Sequence, residues 1–397
     1  MKSNRMLISQ KVQQAIQILN ECEIDCWLTF VRESSISGEP TLPFLSGSDV
    51  TWHSAFLITR SGLTHAIVGQ LEKKSVEDLG VYQNIIGYVE SVREPLLAVL
   101  KKINPSKIAV NYSQSSEVCD GLTHGMYLTL IQILKEENLD QRIISSEKVI
   151  SKLRARKTGY ELDCIQRAID HTLEIYSEVS GFLRTGITEK EVASFILKEV
   201  RNRMLDLAWD EAHCPAVFTG PDTAGAHYGP TDRMIEHGHV LNMDFGVKVD
   251  QYCSDLQRTF YILNPGELDA PEEVKKGFRT IVSAIEKARA KLVPGAIGKD
   301  VDKAARQELL DHGYEEFPHG LGHQVGRFAH DGTALLGPPW EKYAGKPFEP
   351  IEEGMVFTLE PRLMVPGRGV VTIEEMVVVR PHGAEYLSRP QKKLILI

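Results

Sequence analysis

Apolar and polar positions follow two different periods over the first 113 residues. In "QKVQQAIQILNECEID", Val12, Ile16, Leu19 and Cys22 recur at helical spacing, and "CWLTF" and "AFLIT" follow as short apolar runs that read as buried strands. "THAIVG", "IIGYV", the apolar helix around "PLLAVLKKI" and the strand "KIAVNY" continue the alternation, and "GMYLTLIQIL" adds a further helix. Helix and strand taking turns predict an α/β fold for this half. A charged segment near 146–157, "SEKVISKLRARK", leads into a long helical pattern, "GYELDCIQRAIDHTLEIYSEVSGFL". It sets the expected boundary between a domain over residues 1–152 and a second over 153–397.

The second half is punctuated more sharply. Thr188 and Glu191 have the spacing of a capping box at the head of "KEVASFILKEVRNRML", where hydroxyl and carboxylate would satisfy free backbone N–H groups reciprocally. "VKKGFRTIVSAIEKARAKLV" stops at Pro294-Gly295 and "VDKAARQELLDHG" at Gly313. Strand-rich stretches lie around these helices: "HVLNMDFGVKV", "YCSDLQRTFYIL", "MVFTLEPRLMV" and "GVVTIEEMVVV".

Length and composition narrow the function. A chain of 397 residues suits two domains. With 45 Lys plus Arg against 54 Asp plus Glu, the net charge of -9 offers no broad basic surface for nucleic acid or an anionic membrane. A small or peptidic substrate is the better expectation. The N-terminal stretch lacks the apolar core of a signal peptide and nowhere do 18 apolar residues run together, so a cytoplasmic protein is expected. The six cysteines match no zinc knuckle or redox pair and are expected to be reduced and mostly buried. No Gly-rich phosphate loop follows any strand of the first half.

Candidate chemistry lies in the acidic positions of the later strands. In "NMDFGVKVDQYCSD", a turn centred between Val249 and Asp250 would set Asp244 directly opposite Asp255, with Cβ atoms about 4.5 to 5.5 Å apart. Glu360 and Glu374 are likewise equidistant from Gly367 in "VPGRG". A lone Asp on a hairpin is usually just solvated, and a lone His usually a satisfied structural residue. Two facing pairs are a different matter, because unpaired carboxylates at that distance repel unless a cation lies between them. "HGLGHQVG" supplies histidines in a turn-forming setting, and neutral imidazole beside several oxygens suits Mn, Co, Fe or Zn at a two-metal site.

"MDFGVKVDQYCSDLQRTF", "HGLGHQVGRFAH", "FTLEP" and "TIEEMVVV", in that order, resemble the metallopeptidase family of methionine aminopeptidase, aminopeptidase P and prolidase. The resemblance covers roughly residues 155–397 and implies an α+β pita-bread (creatinase/aminopeptidase-like) catalytic domain after an α/β N-terminal domain of the creatinase type. That N-terminal half favours the Xaa-Pro aminopeptidase and prolidase branch. Carried over by position, the resemblance implies Asp244, Asp255, His323, Glu360 and Glu374 as ligands of two divalent metal ions, Mn first and Co, Zn or Fe as alternatives. It also implies His227 and His330 as substrate-contacting catalytic histidines, with His319 lining the pocket. Glu360 would be the general base, and a water activated by the two ions would attack the peptide bond before proline. The implied partners are a small peptide with proline after the scissile bond and a second copy of the chain.

Two departures bear on substrate. Relatives often have Arg two residues before the last metal Glu, where this chain has Thr372, and often Gly after "EP", where it has Arg362. Arg362 is therefore a candidate for binding the substrate carboxylate. The fold also hosts metal-dependent enzymes acting on non-peptide small molecules, and non-catalytic binding proteins that have typically lost metal ligands; both readings stand as alternatives here.

Overall fold

The structure, a computed structural model, describes residues 2–223 and 229–397. The chain divides into two compact units, Met1–Arg154 and Ala155–Ile397.

In the first unit the apolar runs become a six-stranded mixed sheet in the order Asn84–Tyr88, Thr64–Gly69, Ser54–Thr59, Cys26–Val31, Ile108–Val110, Ile143–Ser145. Every residue of Cys26–Val31 is buried, because both faces of the sheet are covered. Trp27, Phe56 and Val68 pack with Val12, Ile18 and Leu19 of the helix Lys2–Glu21. On the other face, Leu28, Leu57 and Ile67 meet Leu96 and Leu100 of the helix Arg93–Ile103 and Leu130 of His124–Lys135. Two-sided burial is why these strands read as continuous apolar runs rather than alternating ones. Within the charged segment, the helix Glu147–Ala155 turns Val149, Ile150 and Leu153 into the first of these cores.

In the second unit the expected capping box at Thr188 and Glu191 forms, at the head of Glu189–Asn202. Another, at Thr158 and Glu161, starts the helix Gly159–Phe182. That helix buries Cys164, Ala168, Ile175 and Val179, and the Tyr176 hydroxyl lies 2.7 and 2.8 Å from the carbonyls of Met243 and Leu256. It thereby fixes the helix to the strands Val240–Phe245 and Leu256–Tyr261, the two central members of a four-stranded sheet. The helix Glu272–Lys291 packs on the hairpin strands Arg362–Val365 and Gly369–Thr372, and the helix Gly298–Asp311 packs against it, with Phe278, Ile281, Val301 and Leu309 in one core. All six cysteines are free and five are buried, as expected. Among the described residues no helix is long and apolar enough to cross a membrane.

Candidate metal centre

The first acidic pair departs from the expected register. Asp244 is opposite Gln257, and Val249 opposite Tyr252, so the turn is centred one residue later than the sequence pattern implied. Asp250 and Gln251 both adopt positive φ, 48° and 71°, as a tight two-residue hairpin turn of the favoured twist requires. Continuing this register sets Asp255 beside Gly246, which makes Asp255 and Asp244 diagonal neighbours on one face instead of direct partners. Diagonal carboxylates remain within reach of a shared ion. Gly246 is required there, since a Cβ would lie 1.8 Å from the Ser254 carbonyl oxygen.

The second pair keeps its expected register. Leu359 faces Glu375 and Arg362 faces Thr372, so both stretches of the hairpin share one centre at Gly367, and Glu360 and Glu374 fall opposite each other between them. An antiparallel bridge between Gln257 and Glu374, with N–H to O distances of 3.4 and 3.2 Å, joins this hairpin to the first. Four carboxylates from sequence positions 130 residues apart are thus gathered on one surface.

His323 completes the cluster from the short strand Gly322–His323. Its backbone N–H donates to Thr358 Oγ1 at 3.1 Å, and the Glu360 N–H donates to the Leu321 carbonyl at 2.8 Å. Gly322 permits this approach, because a Cβ would lie 1.9 Å from the Thr358 carbonyl oxygen. His323 Nε2 is 3.4 Å from Glu360 Oε1, 3.7 Å from Asp255 Oδ2 and 4.0 Å from Glu374 Oε1. Nδ1 faces the Gln324 carbonyl at 3.4 Å, which assigns the proton to Nδ1 and leaves the Nε2 lone pair toward the carboxylates.

Electrostatics make the cluster costly without a cation. Burial pushes Asp244 up to about 7. Asp255, Glu360 and Glu374 are all held well above the usual carboxylate range, by burial first and then by the charge of neighbouring acids, Asp244 among them for each. His323 is pulled down to about 3, by burial and by the adjacent His330. The Arg258 guanidinium does not neutralise the four acids: it donates to the carbonyls of Gln257 and Glu374, both at 2.9 Å, and pairs with Glu375 at 3.1 Å. Asp244 Oδ1 is buried with no hydrogen-bond partner among the described residues. An orphaned carboxylate oxygen, four mutually repelling acids and a neutral imidazole form a donor set that fits divalent ions. Donor atoms of Asp255, His323 and Glu374 all lie within 4.8 Å of one another.

The remaining expected residues are placed unevenly. His330 stands edge-on to His323, with ring centroids 4.1 Å apart, and is exposed. Asp331, buried behind it, accepts the Arg327 N–H at 2.6 Å and so pins the turn that presents His330. His319 leans on Phe317 at 5.2 Å, with Nδ1 2.8 Å from the Gly320 carbonyl. Arg362 is half-buried directly across from Thr372. His227 lies outside the described residues. Sequence reasoning missed Gln257, whose amide nitrogen is 3.4 Å from Asp244 Oδ2 and whose oxygen accepts the Thr372 hydroxyl at 2.6 Å. Its place two residues after Asp255, on the same face of the strand, was the available signal.

The chain is 24% identical over 392 residues to a Xaa-Pro dipeptidase of Pyrococcus horikoshii, covering 98% of this chain and 99% of that one. Among solved structures it resembles an X-Pro aminopeptidase from Thermotoga maritima, with a TM-score of 0.70, 24% identity and coverage of 97% and 99% of the two chains. It also resembles a Xaa-Pro dipeptidase from Bacillus anthracis, with a TM-score of 0.73, 21% identity and coverage of 98% and 100%. These likenesses, over nearly the whole chain, show an α/β unit followed by a pita-bread unit. Residues 163–381, more than half of the chain, match metallopeptidase family M24, and the chain belongs to that family.

Proposed function

We propose that this peptidase hydrolyses the bond before proline in short Xaa-Pro peptides, dipeptides included, with divalent ions held by Asp244, Asp255, His323, Glu360 and Glu374. The observation that carries the reading is the gathering of Asp255, Glu360 and Glu374 around His323, with Asp244 beside them and no ion pair from Lys or Arg to any of the four among the described residues. Bound there, divalent ions lower the pKa of water and polarise a carbonyl. Glu360, partly exposed and 3.4 Å from His323 Nε2, is the proposed base that takes the proton of the attacking water and returns it to the proline nitrogen as that amine leaves. His330 reaches the same space and donates to the oxyanion that forms as the carbonyl is attacked. The relatives and structures named above, Xaa-Pro dipeptidases and an X-Pro aminopeptidase, support this substrate class.

The direct test is a panel of Xaa-Pro and Xaa-Ala peptides with Mn-loaded protein. Cleavage confined to the proline peptides is expected, and no cleavage of any of them would favour a non-peptide small molecule. The histidines divide by role. His323→Ala is expected to lower Mn affinity, whereas His330→Ala keeps Mn and loses about 10² to 10³ in kcat. Equal loss of Mn from both variants would show the roles to be misassigned.

Dipeptide recognition needs a group for the free carboxylate one residue beyond the scissile bond, and a guanidinium suits it best. Arg368 is already engaged, with Glu273 at 3.1 Å and the Gly238 carbonyl at 3.3 Å. The Thr372 hydroxyl is committed to Gln257. Arg362 has no hydrogen-bond or ion-pair partner among the described residues; burial lowers its pKa from the ordinary value, and it lies two residues after Glu360, directly across from Thr372. Arg362→Ala is accordingly expected to reduce kcat/KM for a dipeptide more than for the matched Xaa-Pro-Yaa tripeptide. An unchanged ratio would remove Arg362 from this role.

A further inference from the structure

The helix Gly298–Asp311 carries an ion pair that takes no part in the chemistry above, yet every polar bond it makes beyond itself reaches the segment leading to His323 or its border. Asp302 and Arg306 are 1% and 6% exposed and bond through both guanidinium edges, Nε to Oδ2 at 2.6 Å and NH2 to Oδ1 at 3.1 Å. Arg306 also donates to the carbonyls of Phe317, at 2.6 Å, and His319, and lies 3.6 Å from Glu316. Its flat faces are filled by the rings of Phe317 and Trp340, 4.0 and 5.2 Å away. Asp302 Oδ1 accepts the Leu321 N–H at 3.0 Å. The carbonyl of Leu321, in the next peptide group, accepts the Glu360 N–H at 2.8 Å. The backbone of one residue, Leu321, is therefore held by Asp302 on its N–H side and by Glu360 on its carbonyl side. From the other side, the Tyr343 hydroxyl accepts the Gly320 N–H at 3.0 Å.

We infer that Asp302 and Arg306 are positioning residues for the metal centre, fixing His323 and Glu360 relative to each other through the backbone of Leu321. The inference rests on the metal-site reading given above. A guanidinium is needed because it grips a carboxylate and two carbonyls in one plane, which the single ammonium of lysine cannot do. Partners that orient ligands in this way typically cost about 10- to 100-fold in metal affinity or activity when removed.

The test uses the full chain, stripped of metal and titrated with Co(II), read by calorimetry and by the visible absorption of the bound ion. Arg306→Lys is compared with Glu308→Gln, a control on the same helix whose buried carboxylate, among the described residues, bonds Ser283, Lys287 and His312, away from the site. Arg306→Lys is expected to bind Co(II) about 10- to 100-fold more weakly, with an altered absorption band. Glu308→Gln is expected to lose thermal stability and leave both readouts at wild-type values. If the two variants bind Co(II) alike, with the wild-type band, the pair is merely structural and the inference is overturned. Should Arg306→Lys fail to fold, Asp302→Asn, which keeps the side-chain shape and weakens its hold on Arg306 and the Leu321 N–H, is expected to show a loss of about 10-fold, and wild-type affinity and absorption there overturn the inference equally. Wild-type protein that binds no Co(II) would instead overturn the metal-site reading itself.

Discussion

Asp255→Ala is expected to reduce hydrolysis of Xaa-Pro peptides to background while leaving the fold intact. Asp255 is 5% exposed, 3.7 Å from His323 Nε2, and raises the pKa of Glu374 by its charge. Removing it deletes one donor of the only group of three whose atoms lie within 4.8 Å of one another among the described residues. It also relieves repulsion between the acids, so stability without metal should rise rather than fall, the opposite of what truncating a buried ion pair does. The measurements are turnover, metal content of the purified protein, and Tm in chelator. Wild-type turnover in this variant, or in protein shown to be free of metal, would end the metal-centre reading.

The second large effect is on stability against pH. Carboxylates raised in the folded state keep protons that the unfolded chain, with acid pKa values of about 4, has already released. Folded protein then holds more protons than unfolded, so stability falls as pH rises from about 4 toward the folded values, about 7 for Asp244 and well raised for the other three. His323, pulled down to about 3, acts oppositely, and its contribution is lost as pH falls from about 6.5 through that value. Above about 6.5 only the acids contribute a slope. Chelator-treated protein should therefore lose Tm between pH 6.5 and 8, and saturating Mn should restore it, by an amount on the order of 10 °C at pH 8 and less at pH 6. A chelated protein with a flat profile and no response to Mn would show that the four acids are not strained as their burial implies.

How far the site was legible depended on where each hairpin signals its turn. Pro366 and Gly367 mark a centre, and the pairing of Glu360 with Glu374 follows from it. Asp250 and Gln251 adopt positive φ without a glycine, so nothing in the composition of that turn reveals its centre, and the register of Asp244 shifts. In the first unit, strands buried on both faces are visible as unbroken apolar runs. The Gln257–Glu374 bridge was invisible because it joins strands from distant parts of the chain, and its partners carry no side-chain pattern to announce it. Asp302 and Arg306 were overlooked for another reason: at i, i+4 on a helix they look like any solvated pair, and only tertiary packing buries them. The two-residue strand Ile395–Leu396, which pairs with Leu256–Tyr261 at the end of the chain, is too short to show a period.

The shared centre of the C-terminal hairpin has an evolutionary consequence. Lengthening the loop at 366–368 leaves Glu360 facing Glu374, because the added residues fall outside both strands. A single residue inserted between 361 and 365, or between 369 and 373, slides one strand past the other and turns one of the two carboxylates to the opposite face. Loop length at Gly367 can therefore change without loss of the carboxylate pairing so long as Arg368 keeps its bonds to Glu273 and the Gly238 carbonyl, whereas within the flanking strands insertions preserve the pairing only as compensated pairs, one on each side.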